Sequence, residues 1–206
     1  MKEEKLWNSN YIKVWLANFM IFFSFMLVTP LLPIYLSETF AADKHVIGLV
    51  LSGYTLTALL IRPFSGFIVD SYPRKQVLLI SFFLMFIFFA GYLVAGSLLL
   101  FAIVRTLHGA PFGATTVANS TVAIDVLHPS RRAEGIGYYG LSNNIATAIS
   151  PSVSIYLYQL THNFDLIFVI SMLVAGIGLI INATVKLEKR ELIKDKKVIS
   201  LDRFFL

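Results

Sequence analysis

The chain has 206 residues, 57% of them hydrophobic, with a mean hydropathy of +0.75 and a formal net charge of +5. A soluble domain of this size must clothe its surface in polar side chains, so this composition excludes an ordinary soluble fold and indicates an integral membrane protein. No cysteine is present, which excludes disulfides and thiolate metal sites; the basic balance reports membrane topology rather than nucleic-acid binding.

In chain order, six hydrophobic spans are predicted: residues 11–36, 46–69, 76–95, 97–122, 135–159 and 165–184. Each is long enough for a hydrocarbon core of ~30 Å at about 1.5 Å rise per residue. The first follows Met1-Lys2-Glu3-Glu4-Lys5, exceeds a signal-peptide core and has no small-residue cleavage site, so it reads as a retained helix. Trp7, Tyr11 and Trp15 at its start and Tyr35 near its end fit interfacial anchors. Asn18 is an amide within it and a candidate cavity residue.

The second span carries Arg62-Pro63 and runs into Gly66-Phe67-Ile68-Val69-Asp70-Ser71-Tyr72-Pro73-Arg74-Lys75, a tight turn holding a carboxylate and two cations. Arg62 lies toward the end of its helix, where snorkelling to the surface competes with a functional role. Gly66 would let another helix approach closely. Asp70 falls at a helix C-terminus, where a carboxylate opposes the dipole, so it needs a partner. Arg74, Lys75 or the N-terminus of another helix would serve, making the link a breakable clamp. The third span, with Phe82-Phe83-Leu84-Met85-Phe86-Ile87-Phe88-Phe89, does not alternate as a barrel strand must.

In the fourth span Arg105 is the deepest charge, and such a residue usually faces protein or water. It shares a helix face with His108, Gly109, Phe112, Gly113 and Thr116, and Pro111 can kink that helix. The fifth span places Ser142, Ala146, Ser150 and Ser154 at four-residue steps, with Pro151 among them, a small-residue stripe for close helix packing. Asn143 and Asn144 need hydrogen-bond partners from a helix, water or a polar substrate. Residues 119–121 and 182–184 match the glycosylation pattern, but both lie near the expected cytoplasmic face. From residue 185 the chain is too charged to cross, and residues 198–206 have the spacing of a surface helix.

Lys2, Lys5, Arg74, Lys75, Arg131, Arg132 and the basic residues from Lys186 onward all fall on one side of these spans, whereas Lys44 stands opposite among Glu38, Asp43 and Asp165. The positive-inside rule therefore places both termini in the cytoplasm of a cell whose inner or plasma membrane holds the chain.

Gly66-xxx-Asp70-xxx-Arg74-Lys75 resembles the signature loop of the major facilitator superfamily, and Arg105-xx-His108-Gly109-xxx-Gly113 resembles that superfamily's fourth-helix motif. Arg62-Pro63 and Arg131-Arg132-Ala133-Glu134-Gly135 are similar to the efflux-type members, the sugar and drug exporters described as arabinose-efflux-like. The resemblance implies an all-α integral membrane fold, the N-terminal six-helix half of a twelve-helix carrier, built as a 3+3 inverted repeat. Residues 1–184 would form the bundle and 185–206 the start of a central cytoplasmic linker. It assigns Gly66, Asp70, Arg74 and Lys75 to a cytoplasmic gate; Arg105, His108, Asn143, Asn144 and Asn18 to a substrate or coupling cavity; and Gly109, Gly113, Ser150 and Pro151 to helix packing.

Departures are present: Pro73 replaces a usual glycine, Ser71 a frequent arginine and His108 a frequent glutamine, while Ser150-Pro151 stands for the Gly-Pro of the antiporter motif. No Asp or Glu lies deep in a span, so no carboxylate proton carrier is visible.

The expected function is secondary transport of a small solute by alternating access, as proton-coupled efflux of a sugar or drug-like compound, with no cofactor or metal. The expected partners are the substrate, protons, the bilayer and a C-terminal six-helix half, and no nucleic acid. An intramembrane enzyme is the first rival, but Gly140-Leu141-Ser142-Asn143-Asn144 lacks the last glycine of a nucleophile elbow and the strand-to-helix turn that elbow requires. The second rival is a non-transporting scaffold or a homodimer, for which the stripe from Ser142 to Ser154 would offer a packing surface.

Overall fold

The computed structural model describes residues 5–187, and these form seven α-helices and two short 3₁₀ turns with no strand among them. The segment 188–206, including the expected surface helix at 198–206, lies outside the described residues. The helices are α1 (Ser9–Val28), α2 (Leu32–Phe40), α3 (Lys44–Ser71), α4 (Arg74–Val94), α5 (Leu98–Asp125), α6 (Arg132–Thr161) and α7 (Phe164–Ala183).

Local chemistry sets these boundaries. Asn8, Asp43, Ser97 and Asn163 are N-caps whose side chains accept from the backbone N–H three residues on. A 3₁₀ turn, Thr29–Leu31, carries Pro30 and separates α1 from α2, so the first predicted span is one rod with a tightened joint. Ala41 and His162 end α2 and α6 at φ of 51° and 47°, in the left-handed C-cap region. Pro63, Pro111 and Pro151 sit inside α3, α5 and α6.

The α1–α2 rod and α3, α4, α5 and α7 are long and apolar enough to cross a bilayer. The expected fifth span, α6, has 30 residues but a more polar composition. It nonetheless runs the whole length of the first rod. Tyr11 donates to the Gly135 carbonyl at 2.5 Å, Asn18 to Ser142 at 2.8 Å, Ser154 to the Leu27 carbonyl, and Tyr158 to Glu38 at 2.7 Å. Both elements therefore point the same way.

In space the helices follow the order α6, α1, α7, α4, α5, α3, with α1 and α5 also touching across the middle. The outer members, α3 and α6, flank an open face backed by α1 and α5. The α3–α5 seam is the tightest: a Cβ on Gly109 would collide with the Tyr54 carbonyl, and one on Gly113 with the Ala58 carbonyl and Ile61.

The start of α1 and the end of α7 meet at one end of the bundle. Lys13 donates to the Thr184 carbonyl at 3.2 Å, and Asn10 exchanges hydrogen bonds with the Lys186 backbone.

Several expectations are corrected by this packing. Tyr11 is fully buried on Gly135, and Tyr35 is buried against Phe40, Phe101, Phe164 and Phe168, so neither is an interfacial anchor; Trp7, 45% exposed, keeps that character. The stripe Ser142, Ala146, Ser150 and Ser154 is buried against α1, which removes it as a homodimer surface. Gly66 has no other described helix within 4 Å of where a Cβ would stand, so the close helix neighbour expected there is not supplied by the described residues.

Candidate functional site

The deep site forms where α1, α3, α4 and α5 converge. Arg105, 2% exposed, lies with its guanidinium carbon 4.2 Å from the Tyr54 ring centroid and 4.9 Å from that of Phe25. One of its N–H groups donates to the Tyr92 hydroxyl at 3.1 Å. That hydroxyl lies 2.7 Å from His108 Nδ1, to which it has its own hydrogen left to give. His108 is fully buried, stacked on Phe88 and edge-on to Phe89.

The charge is thus held by aromatic faces and one phenol, with no carboxylate in an ion pair with it among the described residues. Arg105 Nε, His108 Nε2 and the Tyr54 hydroxyl are buried without a hydrogen bond of good geometry. Low dielectric makes such unsatisfied groups costly, which marks this cluster as a candidate site.

The residues expected to line a cavity fall in different surroundings. Arg105 and His108 are both buried and are brought together through Tyr92, with the Phe25 and Tyr54 rings packed over the guanidinium. Asn18 is buried in the α1–α6 seam on Ser142. Asn144 is exposed and Asn143, half-buried, accepts from Thr147 at 3.4 Å; both lie on α6 away from its serine stripe. Ser142, the nearest thing to a nucleophile, is mid-helix, donates to the Tyr139 carbonyl at 2.7 Å and has no base beside it.

At the end where the chain's first and last described residues meet, the charged residues form a second site. Arg74, at the start of α4, pairs with Asp70 of α3 at 3.1 Å and with Asp125 at the end of α5. One guanidinium therefore ties three helix ends. It gives the Asp70 and Asp125 carboxylates, each at a helix C-terminus, the positive partner that their dipoles deny them. Lys75 does not join this clamp. Its ammonium caps α7, donating to the Ala183 and Val185 carbonyls at 2.8 Å each. Nearby, Arg131 pairs with Glu134 at 2.7 Å.

Sequence reasoning missed Asp125, Tyr92, Tyr54 and Phe25. Tyr54 and Tyr92 did carry a signal, since a phenol inside a span needs a buried partner as much as an asparagine does. It also missed an amide node in which Asn182 donates to Asn119 at 3.0 Å and Asn119 to the Tyr139 hydroxyl at 2.9 Å. Both glycosylation-pattern asparagines are thereby buried inside the bundle.

The chain is 22% identical over 161 residues to the "Quinolone resistance protein NorA" of Staphylococcus aureus (strain MRSA252), covering 78% of this chain and 41% of that protein. It is 27% identical over 127 residues to the "Uncharacterized MFS-type transporter YqjV" of Bacillus subtilis (strain 168), covering 62% and 31%. It thus spans less than half the length of these relatives. Among solved structures, the human organic anion transporter MFSD10 (TETRAN) superposes with a TM-score of 0.73 at 18% identity, over 86% of this chain and 47% of that one. The POT family transporter PepTSo does so with a TM-score of 0.74 at 12% identity, over 90% and 40%. The fold is therefore shared with part of these transporter structures, and residues 14–202 match the Major Facilitator Superfamily family model, so this membrane protein belongs to the major facilitator superfamily, a family of transporters and not of enzymes.

Proposed function

We propose that the chain is the N-terminal six-helix half of a secondary carrier that exports a small sugar-like or drug-like solute in exchange for protons, by alternating access. The single observation that carries this reading is the open face. Its two flanking helices carry mostly small and polar side chains at helical spacing, Gly48, Ser52, Thr55, Arg62 and Gly66 with Leu59 on α3, and Gly140, Asn144 and Thr147 with Ile136 on α6. Among the described residues, no other part of the fold comes within 4 Å of where a Cβ on Gly48, Gly66 or Gly140 would stand. Such stripes suit water, solute or the small-residue surface of a second helical bundle better than lipid. The resistance protein named above supports export of drug-like compounds as the class to try first.

In this reading the partner is a second six-helix half, and both termini are cytoplasmic in the cell membrane. Asp70, Arg74 and Asp125 clamp the cytoplasmic ends, while the caged Arg105 with His108 responds to the state of the cavity. Energised vesicles containing the full-length product should show saturable, gradient-dependent movement of one compound from a panel of sugars and drugs. The 206-residue chain alone in liposomes should show none; saturable flux from it would overturn the half-carrier reading. For topology, single cysteines at Asp43 and His162 should react with an impermeant maleimide from outside and one at Ser130 should not.

A further inference from the structure

The cations of the bundle have very different surroundings. Arg74 has two carboxylates, Lys75 caps α7, and Arg105 is enclosed by Phe25, Tyr54 and Tyr92. Arg62 is exposed, and among the described residues it makes no ion pair or hydrogen bond. It lies eight residues before Asp70, about 12 Å deeper along α3.

The flank of α3 that carries it is identifiable from contacts. On one side of the α5 seam, Gly53 abuts Thr106, and beyond it Leu49, Leu56, Leu60 and Phe64 are exposed as a lipid face. On the other side Tyr54 stacks on Phe25 of α1 at 4.7 Å, and beyond it come Thr55, Leu59, Arg62 and Gly66 at helical spacing, with Leu59 the one large apolar side chain among these four. That second flank borders the open face. The Tyr54 hydroxyl, buried and without a hydrogen-bond partner among the described residues, lies about two turns away on the same helix. An arginine within a span usually faces protein or water rather than lipid, which directs this guanidinium toward the open face.

We propose that Arg62, and not the caged Arg105, is the residue of the solute path that receives an anionic group, a carboxylate or phosphate-type oxyanion on the transported compound. The inference rests on the carrier reading and names its substrate class. A planar five-donor fork binds such oxyanions in a bidentate manner, and a path in which the other deep arginine is buried leaves this one to do so. A lipid headgroup offers the same oxyanion chemistry, and the test separates the two sources.

The experiment uses the full-length product in everted vesicles, with cysteines outside this chain replaced and single reporters at Thr55→Cys or Gly66→Cys, against Leu60→Cys and Phe64→Cys. The first pair should label with an impermeant maleimide and the second pair should not. Benzoate, in phosphatidylcholine vesicles without anionic lipid, should slow labelling at the first pair, whereas tetramethylammonium should not. With Arg62→Gln, roughly ten times more benzoate or above should be needed for the same protection, since a charge-assisted hydrogen bond is lost.

Equal protection in Arg62→Gln, or labelling confined to the second pair, overturns the proposal. So does protection that appears only when phosphatidylglycerol is added, because Arg62 then serves the bilayer. Flux of a solute that persists unchanged in Arg62→Gln sinks this inference and leaves the carrier reading intact. Benzoate protection without any measurable flux does the reverse.

Discussion

Arg105 and Arg74 are both largely withdrawn from solvent, yet the protein stabilises them by opposite means. Arg74 sits at a bundle end with two carboxylates and ties α3, α4 and α5 together. Arg105 sits deep among α1, α3, α4 and α5 with aromatic faces and a single phenol. Charge pairing is used where water can reach the partners, and the ring quadrupole is used where a carboxylate would itself need to be desolvated. The Arg74 site is thus a fastening, whereas the Arg105 site holds its charge with two rings and one hydrogen bond.

The largest effect that tests this contrast is on the cage. Phe25 packs on Tyr54, on Phe112 and over Arg105, so Phe25→Ala removes packing and charge support together. A loss of about 3–5 kcal/mol is expected from the cavity alone. Denaturant unfolding in detergent checks it, and a loss below that of ordinary surface substitutions would mean that the cage is not packed as described.

Asp125→Asn comes next. It removes one of the two carboxylates on Arg74, whose side chain is only 19% exposed, and a loss of about 1–3 kcal/mol follows from underpairing a charged group. Asp70→Asn should cost less, about 0.2–1 kcal/mol, because the Asp70 side chain is 68% exposed and solvent screens the pair. Raising salt should shrink the Asp70 effect more than the Asp125 effect. Equal losses would break the ranking of the two partners. In flux assays on the full-length product, Asp70→Asn should still impair transport out of proportion to its stability cost, as befits a clamp that opens and closes.

Much of the fold is legible along the chain. The predicted spans 46–69, 76–95, 97–122 and 165–184 differ by only a few residues from α3, α4, α5 and α7, because long apolar runs bounded by Asp43, Ser97 and Asn163 caps fix them locally. The 3₁₀ joint within the first span is encoded just as locally, by Pro30. Partners distant in sequence are not legible in this way. Asp125 is 51 residues from Arg74, and the Arg105 cage draws one side chain from each of three other helices.

The four-residue serine stripe on α6 announces close packing, but no periodicity says which helix it meets. Its burial on α1 is a tertiary fact. Tyr11 and Tyr35 show the same limit. Position near a span end suggests an anchor, while the packing of neighbouring helices turns both inward.

The smallest expected change in stability is the sharpest test of the comparison. Arg105→Met keeps an unbranched apolar chain in the aromatic cage and removes the buried charge together with its one hydrogen bond to Tyr92. Met packs well against aromatic rings, and the Tyr92 hydroxyl keeps His108 Nδ1 as its partner. Replacing an underpaired buried charge by an apolar side chain of similar length is often neutral or stabilising. Unfolding free energy should therefore stay within about 1 kcal/mol of the parent or rise, in contrast to Asp125→Asn at the clamp. Flux through the full-length product should nevertheless fall, and Arg105→Lys should also be poor, since a point ammonium cannot lie flat between the two rings and still reach Tyr92. If Arg105→Met instead unfolds the bundle, the arginine is a structural fastening like Arg74, and the contrast between the two sites fails. If it is stable and transports normally, the cage has no part in the cycle. The combination of retained stability and lost flux is the outcome that identifies Arg105 as a charge held for the transport cycle rather than for the fold.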